Sequence, residues 1–515
     1  MNVKIIASAC LVFLGVLVNA QDPETELIKK YAETGFESGD YEFALENYKI
    51  LYEKNKDDIN INFRLGVCYT QTNENKTGGI PHLEFVVSHN NFPVDAFYYL
   101  GQSYMYAYRF TEAVEAFYEY KISGLNNDLI GKADRMVTSC YTALQLMNVP
   151  IKVEYQRLDS TINTAMNDYS PFFDKANERL FYTSDVRYVE QLKLNVADIY
   201  FADRKNDVWL TANFWEFNSY ENEEVAGGSS SNENLFIYSN GDFSSHDLSM
   251  ARIKKRSLDR TKKDFPANII NTRDFEHGAT MSSDGKKFYY SSDMPGGFGG
   301  MDIYYIEKDE NDQWSEPKNA GAVINTESDD MFPNLSADGS SLYFSSAGHG
   351  GIGGFDLYEA IYSAQDEAWG ITRSLGVPIN TPYDEMSIAW EVEGRIGYIS
   401  SNRKEGFGKL DVYRVIIDRD VETSYLIGTV MVGTPNASEP YSDAFNKLFV
   451  TLYDKYGNIY ARYNIEGNQF YAAVPPGKYK LEIYLDGSDN KYEEDVMIIE
   501  SGDMQQIEET YFVQP

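Results

Sequence analysis

From about residue 160 to residue 415 the chain alternates in short runs rich in β-branched and aromatic residues, bounded by Asp-Gly or Gly-Gly pairs. Such runs read as strands joined by tight turns. The clearest copy holds Asn325, Thr326, Asp329, Asp330, the turn Asp338-Gly339, the strand Ser341 to Ser346, a glycine-rich bend through Gly354 and a second strand opening at Asp356. The copy before it carries Asn271, Thr272, Phe288 to Ser292, Gly296 to Gly300 and Asp302; the copy after it carries Asn380, Thr381, Tyr398 to Ser401, Gly406 to Gly408 and Asp411. Two weaker copies place Asn163 with Asp198 and Asn218 with Asp247. The five asparagines lie 55, 53, 54 and 55 residues apart. One unit predicts a four-stranded antiparallel sheet with an apolar face too small to fold alone, and repetition around an axis buries both faces and leaves only short edges. The expectation is a β-propeller of five blades, or six if the poorly matching stretch Leu248 to Ile269 forms its own.

Upstream the period changes. From Glu24 to about Asn148 the apolar positions follow a helical repeat. Leu65, Gly66 and Tyr69 recur 35 residues later as Leu100, Gly101 and Tyr104, and Ala44 with Tyr48 is echoed by Ala113 with Phe117. That spacing predicts tetratricopeptide helix pairs, with small residues where helices approach and aromatics beside them. Pro81 opens the second helix of the middle pair at a tolerated first-turn position, and Asp128 to Leu146 reads as a closing helix. The surface such helices form suits a peptide or partner helix, unless they only cap the propeller. Val149 to Leu158 is read as a strand that closes the ring.

After Tyr413 the 54-residue period stops. Tyr425 to Pro515 predicts seven short strands, including Leu448 to Tyr453 and Lys480 to Tyr484, and so an immunoglobulin-like sandwich. The organisation read from the sequence is a multidomain α plus all-β chain. Its parts are a leader over 1–20, helical repeats over 21–148, the propeller over 149–416 and the sandwich over 417–515.

Charge narrows the partners. A formal net charge of −34 disfavours nucleic acid and anionic membranes. Lys4, the apolar run Ile5 to Val18 and Val18-Asn19-Ala20 predict export with cleavage after Ala20. Cys10 lies inside the apolar run, away from a lipid-attachment position. Cys68 and Cys140 fall in helical patterns and are expected to pack rather than pair. No later segment is apolar enough to span a membrane. Lys254 to Arg256 with Arg260 to Lys263 forms a basic cluster read as a neutralised loop.

Catalytic signatures are sparse. None of His82, His89, His246, His277 and His349 has zinc-type spacing, and no Gly-x-Ser-x-Gly elbow occurs. Gly297 to Gly300 has no following helix, so it marks a hairpin bend rather than a phosphate loop. One constellation repeats: five residues after each asparagine stands a carboxylate, Asp168, Glu223, Glu276, Asp330 and Glu385. Equal offsets place these at equivalent points around the axis. They are either a charged ring able to hold a cation, with calcium the suited ion, or local acceptors for backbone N–H groups. Adjacent acids such as Asp329 and Asp330 point to opposite strand faces, which argues against a paired acid–base site.

With these blocks in order, the chain resembles multidomain envelope proteins of Bacteroidetes that join tetratricopeptide repeats, a WD40-like propeller of the TolB kind and a carboxypeptidase-regulatory-like sandwich. The type IX secretion component PorE is of this design. The resemblance rests on Asn325, Thr326, Asp329, Asp330, Pro333, Ser336 to Gly339, Leu342 to Ser346, Gly353, Gly354 and Asp356 to Tyr358. In the sandwich it rests on Ile427, Gly428, Val430, Gly467, Phe470, Pro476, Gly477 and Tyr479. It implies a non-enzymatic scaffold in the periplasm or at the outer membrane, with no cofactor, binding envelope proteins of a secretion or gliding machine through its helical repeats and propeller. The sequence stops after the sandwich, without the OmpA-like domain of many members, so peptidoglycan binding is not expected. The alternatives are a carbohydrate- or peptide-binding surface protein, or a hydrolase with its site in the propeller channel.

Overall fold

The computed structural model describes residues 23–147, 150–216, 218–240, 247–254, 257–260, 265–363, 367–417, 424–441, 448–453, 459–464, 468–474, 477–485, 491–498 and 506–513. The leader, its cleavage site, His246 and most of the basic cluster lie outside them. The chain forms two compact units that meet in sequence at Ser103 and Tyr104.

The first unit is helical: α1 (Pro23–Ser38), α2 (Tyr41–Lys54), α3 (Ile59–Gln71), α4 (Gly79–Val87) and most of α5 (Asp95–Tyr106). Asp40 and Asp58 cap α2 and α3 by accepting from the N–H groups of Phe43, and of Asn60 and Ile61. Ala32, Ala44, Leu45, Tyr48, Leu51, Leu65 and Cys68 make its core. The small residue at Gly66 matters, because a Cβ there would stand 2.6 Å from Cγ of Leu83. Pro81 sits in the first turn of α4 as expected.

The second unit opens with the hairpin α6 (Phe110–Ser123) and α7 (Asn127–Leu146), which pack on each other and bury Ala113, Phe117, Ala133 and Val137. Cys68 and Cys140 are buried free thiols, each pushed up to about 12 by burial. Between Val153 and Ile417 stand five antiparallel blades, the second and third joined into one eight-stranded sheet by parallel pairing of Glu223–Ser229 with Glu276–Met281. Their inner strands are Asp168–Asp174, Glu223–Ser229, Glu276–Met281, Asp330–Leu335 and Glu385–Val392. Each inner strand packs on the next, and the fifth packs on the first, so the ring is closed. Val153–Arg157 pairs with Asp411–Ile417 as the outermost strand of the fifth sheet and joins the two ends of the ring. Among the described residues no sixth blade stands: Asp247–Lys254 and Ser257–Arg260 are outer strands of the second blade, and Ala267–Ile270 is a helical turn.

Eight strands follow among the described residues, in two sheets. Leu426, Val430, Phe470 and Tyr511 of one face Val450, Leu452, Leu481 and Ile483 of the other in a single core. No helix among the described residues is long and apolar enough to cross a membrane.

Candidate functional site at the mouth of the propeller channel

The repeating asparagine is a seam fastener. In every blade its amide bonds both backbone groups of one residue on the third strand of the preceding blade. Asn218 holds Ile199, Asn271 holds Leu248, Asn325 holds Ile303 and Asn380 holds Leu357, all at 2.8 to 3.1 Å. Asn163 does the same for Val412 across the closure. The glycine-rich bends belong to the same seam. Phe298 and Gly299 donate their N–H groups to Asp302 at 2.5 and 3.0 Å, so the anion nest is filled by the chain itself. Gly299 is required because a Cβ there would meet the carbonyl oxygen of Ser328 at 2.0 Å.

Each of the five carboxylates begins an inner strand and is buried. Asp168, Glu223, Glu276, Asp330 and Glu385 accept from the backbone N–H of Thr164, Ser219, Thr272, Thr326 and Thr381, at 2.5 to 3.2 Å. Four of those threonine hydroxyls bond the same carboxylates. Among the described residues no three His, Cys, Asp or Glu side chains are placed to hold a metal ion. In this geometry each acid serves as an acceptor for its own loop. Burial pushes Asp168 and Asp330 up to about 6 and Glu276 and Glu385 up to about 7. Added repulsion comes from a third-strand aspartate of the preceding blade, Asp411 beside Asp168 and Asp302 beside Asp330, not from other members of the ring. At Glu385 the Arg403 guanidinium, 2.9 Å away, opposes the rise.

The residue after each acid points to the other strand face. These are Tyr169, Glu224, His277, Met331 and Met386. Nε2 of His277 stands 3.2 Å from Glu224, and the Tyr169 phenol hydrogen-bonds the same carboxylate. Contact among equivalent residues of three successive inner strands shows that this face is turned to the axis. Burial and the Glu224 charge push the Tyr169 phenol well above its ordinary range. Nδ1 of His277 is buried with no hydrogen-bond partner, its ring among Tyr238, Phe275 and Phe332. The Glu224 side chain keeps 15% of its exposure, against 5% for His277.

At the far end, Phe172, Gly228, Leu335, Ala389 and Trp390 enclose only about 40 Å³, enough for a water and too little for an organic ligand. Tyr169, Glu224 and His277 differ from blade to blade, so the repeating positions alone do not mark them. Their signal was register, one residue beyond each repeating acid.

No family model matches the sequence, and no curated protein does. Among solved structures the chain is similar to the Penicillium chrysogenum α-L-arabinanase, with 13% identity over 51% of this chain and 85% of that one, TM-score 0.29. It is similar to a fructofuranosidase from Schwanniomyces occidentalis, with 8% identity over 70% of this chain and 93% of that one, TM-score 0.33. A third is the extracellular domain of a hybrid two component system from B. thetaiotaomicron, with 12% identity over 68% and 59%, TM-score 0.28. The expectation of a non-enzymatic scaffold is corrected on this finding. The similar structures include arabinanase, sialidase and fructofuranosidase, so a propeller of this kind gives no ground for calling the chain a non-enzyme. At these identities and TM-scores the likeness concerns the fold and names no substrate.

Proposed function

We propose that the propeller is a hydrolase domain whose working group is Glu224, acting as general base and then general acid on a polar substrate at the channel mouth. The observation that carries this is the hold on Glu224: His277 donates from the third blade, Tyr169 from the first, and the carboxylate stays partly open. Two fixed donors orient the carboxylate toward the channel, as a general base requires. A water beside it gives up its proton to Glu224 as the water oxygen attacks the substrate, and that proton then passes to the leaving group. His277 and Tyr169 are positioning residues. Met331 and Met386 make the opposite side of the mouth apolar, which suits a substrate with one polar and one apolar face. Assay of the full chain against chromogenic glycosides and esters tests this, turnover of none being the contrary result. The absence of a second carboxylate among the five equivalent positions favours one other reading, binding of such a ligand without turnover. Saturable binding with no product would establish it.

For the remaining parts we infer that the helices are tetratricopeptide repeats and the sandwich is immunoglobulin-like, of the carboxypeptidase-regulatory kind. We infer also that the chain is exported with cleavage after Ala20, to meet envelope proteins in the periplasm or at the outer membrane. Support comes from the Leu65-Gly66 and Leu100-Gly101 repeat, the two-sheet core and the leader pattern. Intact mass of the protein recovered from cell envelopes tests the export, a retained Met1 being the contrary result.

A further inference from the structure

A cleft of about 380 Å³ opens between the third and fourth blades. It lies at the end of these blades opposite the repeating carboxylates, since it is lined by the turn after Met281, the turn after Leu335 and the outer residues Tyr362 and Trp369. That volume is in the range of small-ligand sites. Its wall is aromatic and prearranged. The Trp369 indole hydrogen-bonds the Tyr289 hydroxyl, and the Tyr362 ring meets it edge-on with centroids 5.3 Å apart. Tyr289 is buried, while Trp369 and Tyr362 are half-exposed to the cleft.

The floor is polar. In Asp284 and Asp338 one oxygen is used by the turn: Oδ1 of Asp284 accepts from Ser282 and Lys286 N, and Oδ1 of Asp338 from Ser336 and Ser340. Those bonds hold both carboxyls below the usual range, so each offers an ionised second oxygen. Lys287 and Lys308 are paired with Glu307 and Asp312. The cleft therefore presents two anionic acceptors, the Lys286 ammonium as donor and two aromatic rings, which repels anions and suits a hydroxyl-rich neutral ligand.

We propose that this cleft is a carbohydrate-binding site for a neutral sugar unit, its C–H face on Trp369 and Tyr362 and its hydroxyls shared between Asp284, Asp338 and Lys286. The proposal stands apart from Glu224, which is not among the residues that line the cleft. Calorimetric titration of the full chain with cellobiose, maltose and xylobiose tests it. Saturable binding of at least one is expected, weakened at least about tenfold in both Trp369→Ala and Tyr362→Ala, the two variants guarding against a fold defect in either. No saturable heat with any of the three overturns the proposal, as does full affinity in a folded Tyr362→Ala protein.

Discussion

Asn163 bonds both backbone groups of Val412, 249 residues away, with Nδ2 at 3.0 Å from its oxygen and Oδ1 at 2.8 Å from its nitrogen. This one amide fastens the first blade to the last, beside the closing strand. Asn163→Ala leaves the buried Val412 N–H without its partner, a loss of about 1–3 kcal/mol, while the Val412 C=O keeps the Leu158 N–H at 3.4 Å. Urea unfolding of the full chain is expected to show the loss. A midpoint equal to that of wild type would mean that Val153–Arg157 closes the ring unaided.

A second link across the closure is ionic. Arg204 in the first blade makes paired bonds to Glu391 in the fifth, at 2.7 and 3.0 Å, and both side chains are largely buried. Removing one partner of a buried pair costs up to about 3–5 kcal/mol, and less here because Arg204 keeps Glu178 at 2.6 Å. Glu391→Gln is expected to lower the melting temperature clearly, and Glu178→Gln, whose own carboxylate is half-exposed, to change it little. Equal effects would contradict the assignment.

The 54-residue period made the propeller legible, because the asparagine that sets it has one job in every blade. Ring closure was legible too, since the strand before the first copy had no blade of its own. Two things were not. The carboxylates repeat as faithfully as the asparagines, and repetition alone cannot tell a seam from an axis; only the direction of Thr164 and its equivalents does that. Glu224 and His277 carry no motif and meet only because neighbouring blades bring equivalent positions together, 53 residues apart.

The buried acids make the propeller sensitive to pH in a stated direction. Asp168 and Asp330 sit at about 6 and Glu276 and Glu385 at about 7, against about 4 when unfolded. The folded state binds these protons more tightly, so their contribution is complete below about pH 4 and is lost as pH rises through 6 to 7. Asp330→Asn should therefore shrink the fall in melting temperature between pH 5 and pH 8. An unchanged fall would contradict it.

Calcium is not expected to enter this balance. Each acid already accepts from its own loop, and Asp330→Ala strips an acceptor from the Thr326 N–H and hydroxyl. The variant should melt lower by the same amount in calcium and in chelator. A wild-type protein stabilised by calcium, with the gain lost in Asp330→Ala, would restore a cation site at this seam.

Glu224 carries the proposed hydrolysis, and turnover by wild type against Glu224→Gln decides whether it does. Gln keeps the size and the hydrogen bond from His277 but cannot take a proton. On any glycoside or ester that the wild-type chain hydrolyses, kcat should fall by about 10²–10⁴ in the variant, with KM and melting temperature near those of wild type. A variant that retains wild-type kcat would contradict the assignment of Glu224.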